Sequence, residues 1–315
     1  MQVKQIGTDT VRRTFLALAA LVCLALTFAA FPTPAFSQAH PSLVGKTVLV
    51  TGSTDGLGRE VATRLGLLGA HVLVHGRNVE RGEEVVESIN AGPGTAAFYR
   101  ADLGSLQEVR DLAAQVIQDN QRLHLLVNNA GIASGFNDGQ KAMSDDGYEM
   151  IFQVNYLSHY LLTDLLVPLL EHSAPSRIVN VASIAQRPLD LGDITDPAEF
   201  DAGTAYAHSK LAMVMHTFTL AEQLADTRVT INALHPATMM DTSMVREMGE
   251  RVRSTVDEGA SAVINLAVGD DVSGRSGLYF NGQEEARAND QAYDSEAREA
   301  LDALSRRLAN LPPAS

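Results

Sequence analysis

The chain has almost no cysteine: a single residue, Cys23, in 315. A disulfide framework needs pairs and a thiolate zinc site needs several ligands, so both are excluded. Runs of Lys and Arg are also missing. Its 24 basic residues are outnumbered by 38 acidic ones, for a formal charge of −14. Phosphate backbones are bound by clustered cations, so nucleic acid is excluded as a partner. No HExxH or comparable histidine spacing offers a metal site. Internal repeats, low-complexity tracts and Pro/Gly linkers are absent from the body of the chain, which therefore reads as one domain. What is present is ordinary for a folded protein: 45% apolar and 20% charged residues, with ample length for a large core.

The exception is the N-terminus. Residues 14–30 (TFLALAALVCLALTFAA) are apolar throughout, preceded by Arg12 and Arg13 and followed by Pro32, Pro34 and Ala35-Phe36-Ser37. A basic start, an apolar stretch and a small-residue exit describe a secretory signal peptide. Arg12-Arg13-Thr14-Phe15-Leu16 resembles a twin-arginine export signal, with Val11 where that pattern prefers Ser or Thr. The expectation is that 1–37 is a signal peptide or membrane anchor and that 38–315 is an exported catalytic body. An uncleaved anchor would be its only link to a membrane, and a start codon assigned too early would leave the protein in the cytoplasm. The segment contains Lys4, Arg12, Arg13 and Asp9, so the body carries −16.

From Val44 onward, short β-branched runs alternate with longer amphipathic ones. The pattern predicts strands over 47–51, 72–75, 96–100, 123–128, 177–182, 229–234 and 278–280. It predicts helices over 57–68, 79–89, 106–118, 148–170 and 206–224. Unbroken apolar strands are buried on both faces, and their alternation with helices implies parallel β-α-β units. Right-handed crossovers then give an α/β fold, a doubly wound and mostly parallel seven-stranded sheet flanked by helices.

Directly after the first strand comes Thr51-Gly52-Ser53-Thr54-Asp55-Gly56-Leu57-Gly58, opening into a helix. Glycine lets backbone turn tightly and approach a pyrophosphate without a Cβ in the way. The helix N-terminus adds unpaired N–H groups and a positive dipole end. Gly52, Ser53, Asp55, Gly56, Leu57 and Gly58 are thus candidate dinucleotide-binding residues. The end of the second strand reads Val74-His75-Gly76-Arg77-Asn78. It has no carboxylate to hold a free ribose 2′-hydroxyl, whereas Arg77 can pair with a 2′-phosphate, reinforced by Arg59. The reading favours NADP(H) over NAD(H).

Tyr206 and Lys210 stand four apart in a predicted helix and share a face. A free phenol, pKa ~10, is no base near neutrality, but a neighbouring ammonium favours the phenolate. Ser183 ends the fifth predicted strand, at the sheet edge where such folds bind ligands. The glycine turn, Asn128-Asn129-Ala130-Gly131, Asn155, Ser183 and the Tyr206/Lys210 pair, in that order, resemble the short-chain dehydrogenase/reductase family, compact single-domain branch, with its Rossmann-type fold. The stretches 154–163, 206–212 and Leu234-His235-Pro236, with 23 residues from Ser183 to Tyr206, resemble its retinol dehydrogenase-like members.

The resemblance implies roles. Tyr206 would exchange a proton with the substrate oxygen during hydride transfer, and Lys210 would lower its pKa and hold the nicotinamide ribose. Ser183 would orient the carbonyl, and Asn155 would position a relay water. Asp102, with Leu103 beside it, matches the adenine contact; Asn129 and Ala130 match the adenosine-ribose stretch. Pro236 opens the stretch that meets the carboxamide, where Ala237 replaces a glycine and Thr242 falls one residue late. Ala182 replaces the first serine of the usual pair. A candidate substrate lid, 239–256, holds Met239, Met240, Met244 and Met248, thioethers that suit an adaptable apolar pocket. His159, His208 and His235 read as hydrogen-bonding neighbours of the site. The expected activity is NADP-dependent interconversion of a small, lipophilic alcohol and its carbonyl. A redox-neutral epimerase with retained cofactor and a non-catalytic dinucleotide-binding protein are the alternatives. A homo-oligomer is compatible with all three.

Overall fold

The computed structural model describes residues 40–133, 136–137, 140–141, 143–192 and 201–313; the leader expected over 1–37 lies outside them. Among the described residues, no helix is long and apolar enough to cross a membrane. Seven parallel strands form the sheet: β1 (Thr47–Val50), β2 (His71–Gly76), β3 (Thr95–Arg100), β4 (Leu125–Asn128), β7 (Ser176–Val181), β8 (Val229–His235) and β9 (Leu278–Asn281). An eighth, β10 (Glu284–Glu285), was not expected. It folds back antiparallel on β9, so the order is β10-β9-β8-β7-β4-β1-β2-β3. Two glutamates carry no strand signal, and a charged, two-residue edge is the kind that resists further pairing. β5 (Phe136–Asn137) and β6 (Gln140–Lys141) make a separate antiparallel ribbon.

The strand pleat sorts the core into two layers. In β1, Val48 and Val50 face one side, where they join Val61, Leu65, Val85 and Val263. Leu49 faces the other and joins Val109, Leu161, Leu166 and Val214, as period-2 alternation requires. The first layer is built by α1 (Gly56–Leu67), α2 (Val79–Asn90) and α7 (Val256–Val268). The second is built by α3 (Leu106–Asp119), α4 (Met150–His172), α5 (Ala202–Gln223) and α8 (Ser295–Leu308), with the short α6 (Ser243–Glu247) outside both. α7 starts on a reciprocal cap: the Thr255 hydroxyl accepts from Glu258 N–H while Glu258 accepts from Thr255 N–H.

α4 is not uniform. It begins as Met150–Phe152, widens to a π turn over Gln153–Leu157, and continues as Ser158–His172. Within the wide turn, Ser158 N–H donates to the Gln153 carbonyl five residues back. Such insertions re-aim side chains and recur at functional sites; this one contains Asn155. The sheet also has a switch point. After β3 the chain crosses to the far side of β1, so the connections leaving the carboxyl ends of β1 and β4 run to opposite faces of the sheet and leave a crevice where doubly wound sheets bind ligands.

Candidate active site

The crevice is walled by two backbone segments clasped together. Thr51 Oγ1, just past β1, accepts from the N–H groups of Asn129 (2.9 Å) and Ala130 (3.0 Å), just past β4. Asn129 Nδ2 returns a bond to the Thr51 carbonyl at 2.8 Å. The approach is too close for side chains: a Cβ on Gly52, whose φ is +64°, would lie 2.8 Å from Ala130 Cα. One on Gly58 would lie 2.2 Å from the Gly52 carbonyl oxygen and 2.4 Å from Asn129 Nδ2. Asp55 caps α1 by accepting from Gly56 N–H at 2.8 Å and also accepts from Ser243 Oγ at 2.7 Å. Its carboxyl is held below the usual range by Ser243, the Gly56 N–H and the guanidinium of Arg81, against the opposing effect of burial. Ser53 is turned inward, donating to the Val50 carbonyl at 2.8 Å, and the Leu57 side chain joins the core.

Arg77 sits at the corner between β2 and α2, its side chain 66% exposed and 3.5 Å from Asp102. Asp102 also accepts from Gly104 N–H at 2.8 Å. The Leu103 side chain lies in the core, and its carbonyl accepts from Ser158 Oγ. Arg59 pairs with Glu84 at 3.7 Å, and Arg81, which the sequence reading did not single out, with Asp55 at 3.5 Å. Arg81 is three residues past Asn78, whose side chain caps α2 by accepting the Arg81 N–H. That capping spacing is the signal that could have found it. These half-exposed ion pairs are worth at most ~1 kcal/mol each, so their guanidinium groups can be redirected to an incoming phosphate.

At the other end of the crevice, Ser183 follows β7 and is buried. Its Oγ accepts from Ala185 N–H at 3.1 Å. Its carbonyl is held from two sides, by Tyr279 Oη at 3.0 Å and Gln186 Nε2 at 2.8 Å; neither was expected from sequence. The Ser183 side chain acts on the Tyr206 phenol, favouring its ionised form. Lys210 Nζ lies 5.6 Å from the centre of the Tyr206 ring and donates to the Val181 carbonyl at 2.8 Å. α5 reaches back beyond Tyr206 because Asp201 caps it, accepting from Thr204 N–H at 2.7 Å.

Asn155 completes the group. Its Oδ1 accepts from Ile132 N–H at 2.8 Å. Its Nδ2 donates to the Ile132 carbonyl at 2.9 Å and to Ser209 Oγ at 3.2 Å. The side chain is thus spent on bracing the loop after β4. Gly131 keeps the path between Asn155 and Lys210 open: a Cβ there would stand 3.3 Å from Asn155 Oδ1 and 3.6 Å from Lys210 Nζ.

Burial raises the Tyr206 phenol above its ordinary pKa, and the Ser183 side chain pulls it part of the way back. Burial lowers Lys210 to about 8. His235, near Lys210 and 3.0 Å from Thr238 Oγ1 through Nε2, is lowered by burial and then by that ammonium. Pro236 beside it is buried. Among the described residues no cluster could hold a metal ion. The N–H groups at the start of α1, a guanidinium at the end of β2 and an ammonium beside a phenol together fit a nicotinamide dinucleotide. In the lid, Met240 packs into the first core layer while Met248 is exposed, so the four methionines do not act as one surface. Thr242 caps α6, accepting from Val245 N–H.

The family model for short chain dehydrogenase matches residues 46–253. Retinol dehydrogenase 13 of Mus musculus is 34% identical over 291 residues, covering 86% of this chain and 85% of the relative. An uncharacterized protein from Mycobacterium Paratuberculosis superimposes with a TM-score of 0.72 at 27% identity, covering 88% of this chain and 97% of that one. The Pseudomonas aeruginosa RhlG/NADP active-site complex superimposes with a TM-score of 0.63 at 28% identity, over 77% of this chain and 97% of that one.

Proposed function

The chain belongs to the short-chain dehydrogenase family, and on that premise we propose that it interconverts a lipophilic alcohol and its carbonyl compound with NADP(H), Tyr206 handling the proton. The observation that carries the reading is the convergence of Ser183, Tyr206, Lys210 and Asn155, from three separate elements, beside the glycine turn. The nicotinamide, when bound, supplies or accepts the hydride. Everything else falls to the chain's own groups. The start of α1 would hold the pyrophosphate, and Arg77 the 2′-phosphate. Ser183 Oγ would donate to the substrate oxygen and fix it next to the Tyr206 hydroxyl. Lys210 would favour the phenolate through its charge.

Because burial keeps the phenol protonated near neutrality, Tyr206 is ready to give its proton to a carbonyl oxygen. Alcohol oxidation needs the phenolate, so its rate should climb as pH rises while carbonyl reduction does not. Two observations favour a lipophilic substrate: Ile184, directly after Ser183, is 58% exposed, and the relative above is a retinol dehydrogenase by name. The preference for NADP(H) is supported by the missing carboxylate at the end of β2 and by the RhlG/NADP complex among the similar structures.

The test is Tyr206→Phe, assayed by NADPH oxidation over retinoids, steroids, aliphatic aldehydes and quinones. We expect turnover to be lost with NADPH affinity nearly unchanged. Turnover that survives the substitution would remove Tyr206 from the chemistry.

A further inference from the structure

His159 is 2% exposed, lies between the glycine turn and Asn155, and has no task in the site as described so far. Its Nε2 is 2.9 Å from Thr51 Oγ1 and its Nδ1 is 3.2 Å from the main-chain oxygen of Asn155. The position of the ring proton follows from counting donors. A hydroxyl has one hydrogen and two lone pairs. The Thr51 oxygen already accepts from Asn129 N–H and Ala130 N–H, which uses both lone pairs. Its hydrogen must be donated, and His159 Nε2 is closer than the alternative, the Val127 carbonyl at 3.3 Å. Nε2 is then an acceptor, and the neutral ring carries its proton on Nδ1, facing a carbonyl that can only accept. The opposite tautomer would press a third N–H onto Thr51 and set a bare nitrogen against the Asn155 carbonyl. A charged ring fails at the Thr51 end for the same reason, and burial with Lys210 and His75 nearby opposes it.

We propose that His159 is a positioning residue, a neutral Nδ1–H imidazole strut that fixes the Asn155 carbonyl at one end and the Thr51 clasp at the other. One end sets the backbone of Asn155, the residue that would position a relay water, the other the backbone that would receive the dinucleotide. The catalytic half of this role rests on the function proposed above; the tautomer and the cofactor-binding half do not.

The two ends can be separated by substitution. An asparagine at 159 has an amide where Nδ1 was and reaches only the Asn155 carbonyl. A glutamine extends to the former Nε2 position and reaches only Thr51. Losing one neutral hydrogen bond is worth roughly five- to tenfold in a binding or rate constant. His159→Gln should therefore lose roughly that factor in kcat with NADPH affinity retained, and His159→Asn the reverse. His159→Phe should lose both. A side chain that only fills space would instead lower the Tm of all three with no division between kcat and NADPH Kd. Imidazole ¹⁵N NMR of the intact protein gives the second readout: a ring protonated on Nδ1 alone, constant between about pH 5 and 9, and missing from the His159→Gln spectrum. An Nε2–H ring, a titration in that range, or undivided effects on kcat and Kd would overturn the proposal. A wild type that binds NADPH but reduces nothing would sink the proposed reaction, while the tautomer and the NADPH titrations would still decide the role of His159.

Discussion

Arg77 is the residue on which cofactor choice turns. Its side chain is 66% exposed and, among the described residues, its guanidinium is paired only with the carboxylate of Asp102 at 3.5 Å, a pairing that ligand phosphate can displace at little cost. A charge-assisted bond to phosphate is worth about 1.5–3 kcal/mol. Arg77→Ala should therefore weaken NADPH binding by roughly ten- to a hundredfold and leave NADH binding within a small factor, as read by nucleotide fluorescence titration. Equal losses for the two nucleotides would refute the assignment. At this scale the reacting groups were legible in sequence: helical spacing alone puts Tyr206 and Lys210 on one face, and Ser183 closes a strand. Their supports were not. Tyr279 holds the Ser183 carbonyl from 96 residues away, and Asn155 reaches Ile132 from 23. Hydrogen bonds between distant segments leave no period in the chain.

Among the elements, the passage from β1 through the glycine turn into α1 is the least tolerant. A Cβ at Gly58 would meet backbone, the Gly52 carbonyl oxygen, at 2.2 Å, and backbone inside a clasp cannot move aside as a side-chain tip can. Gly58→Ala should cost about 1–3 kcal/mol of stability. Because relief would require pushing the Thr51–Asn129 clasp apart, NADPH affinity should fall with it; scanning calorimetry and nucleotide titration check the two together. A substitution that lowers neither would mean the turn is free to reshape. The strands and the five helices predicted were readable because burial imposes periods of 2 and 3.6. The π turn over Gln153–Leu157 was not, since one extra residue inside a long apolar helix leaves its pattern nearly intact. Nor was β10, which exists only because β9 is there to pair with it.

Over the whole molecule, buried histidines set the acid limit. His216 is 8% exposed and lies against the Tyr160 ring at 4.7 Å. Among the described residues neither of its ring nitrogens has a hydrogen-bond partner, and burial pushes its pKa down from 6.5 to about 4. Between those values the unfolded chain binds the proton and the folded one does not. Its contribution is therefore complete above about pH 6.5 and lost as pH falls through about 4, up to ~3 kcal/mol. His75, lowered to about 4, and His159, to about 3, act in the same direction. The Tm should drop steeply from pH 7 to 4. His216→Phe, which removes a buried polar ring, should leave the Tm at pH 7 unchanged or higher and flatten that drop. A profile parallel to wild type would remove His216 from the acid response.

Alone, the sequence determined the alternation of strand and helix, the two faces of each strand, the glycine turn and the Tyr-Lys helix face. All are local consequences of pleat, helical repeat and the missing glycine Cβ. Tertiary structure decided which segments meet. It set β4 beside β1 across the switch point, turned Asn155 toward Ile132, and put His159 between Thr51 and the Asn155 carbonyl. Those contacts depend on strand order and on the closing of hydrogen bonds between parts of the chain far apart in sequence, which no local pattern encodes.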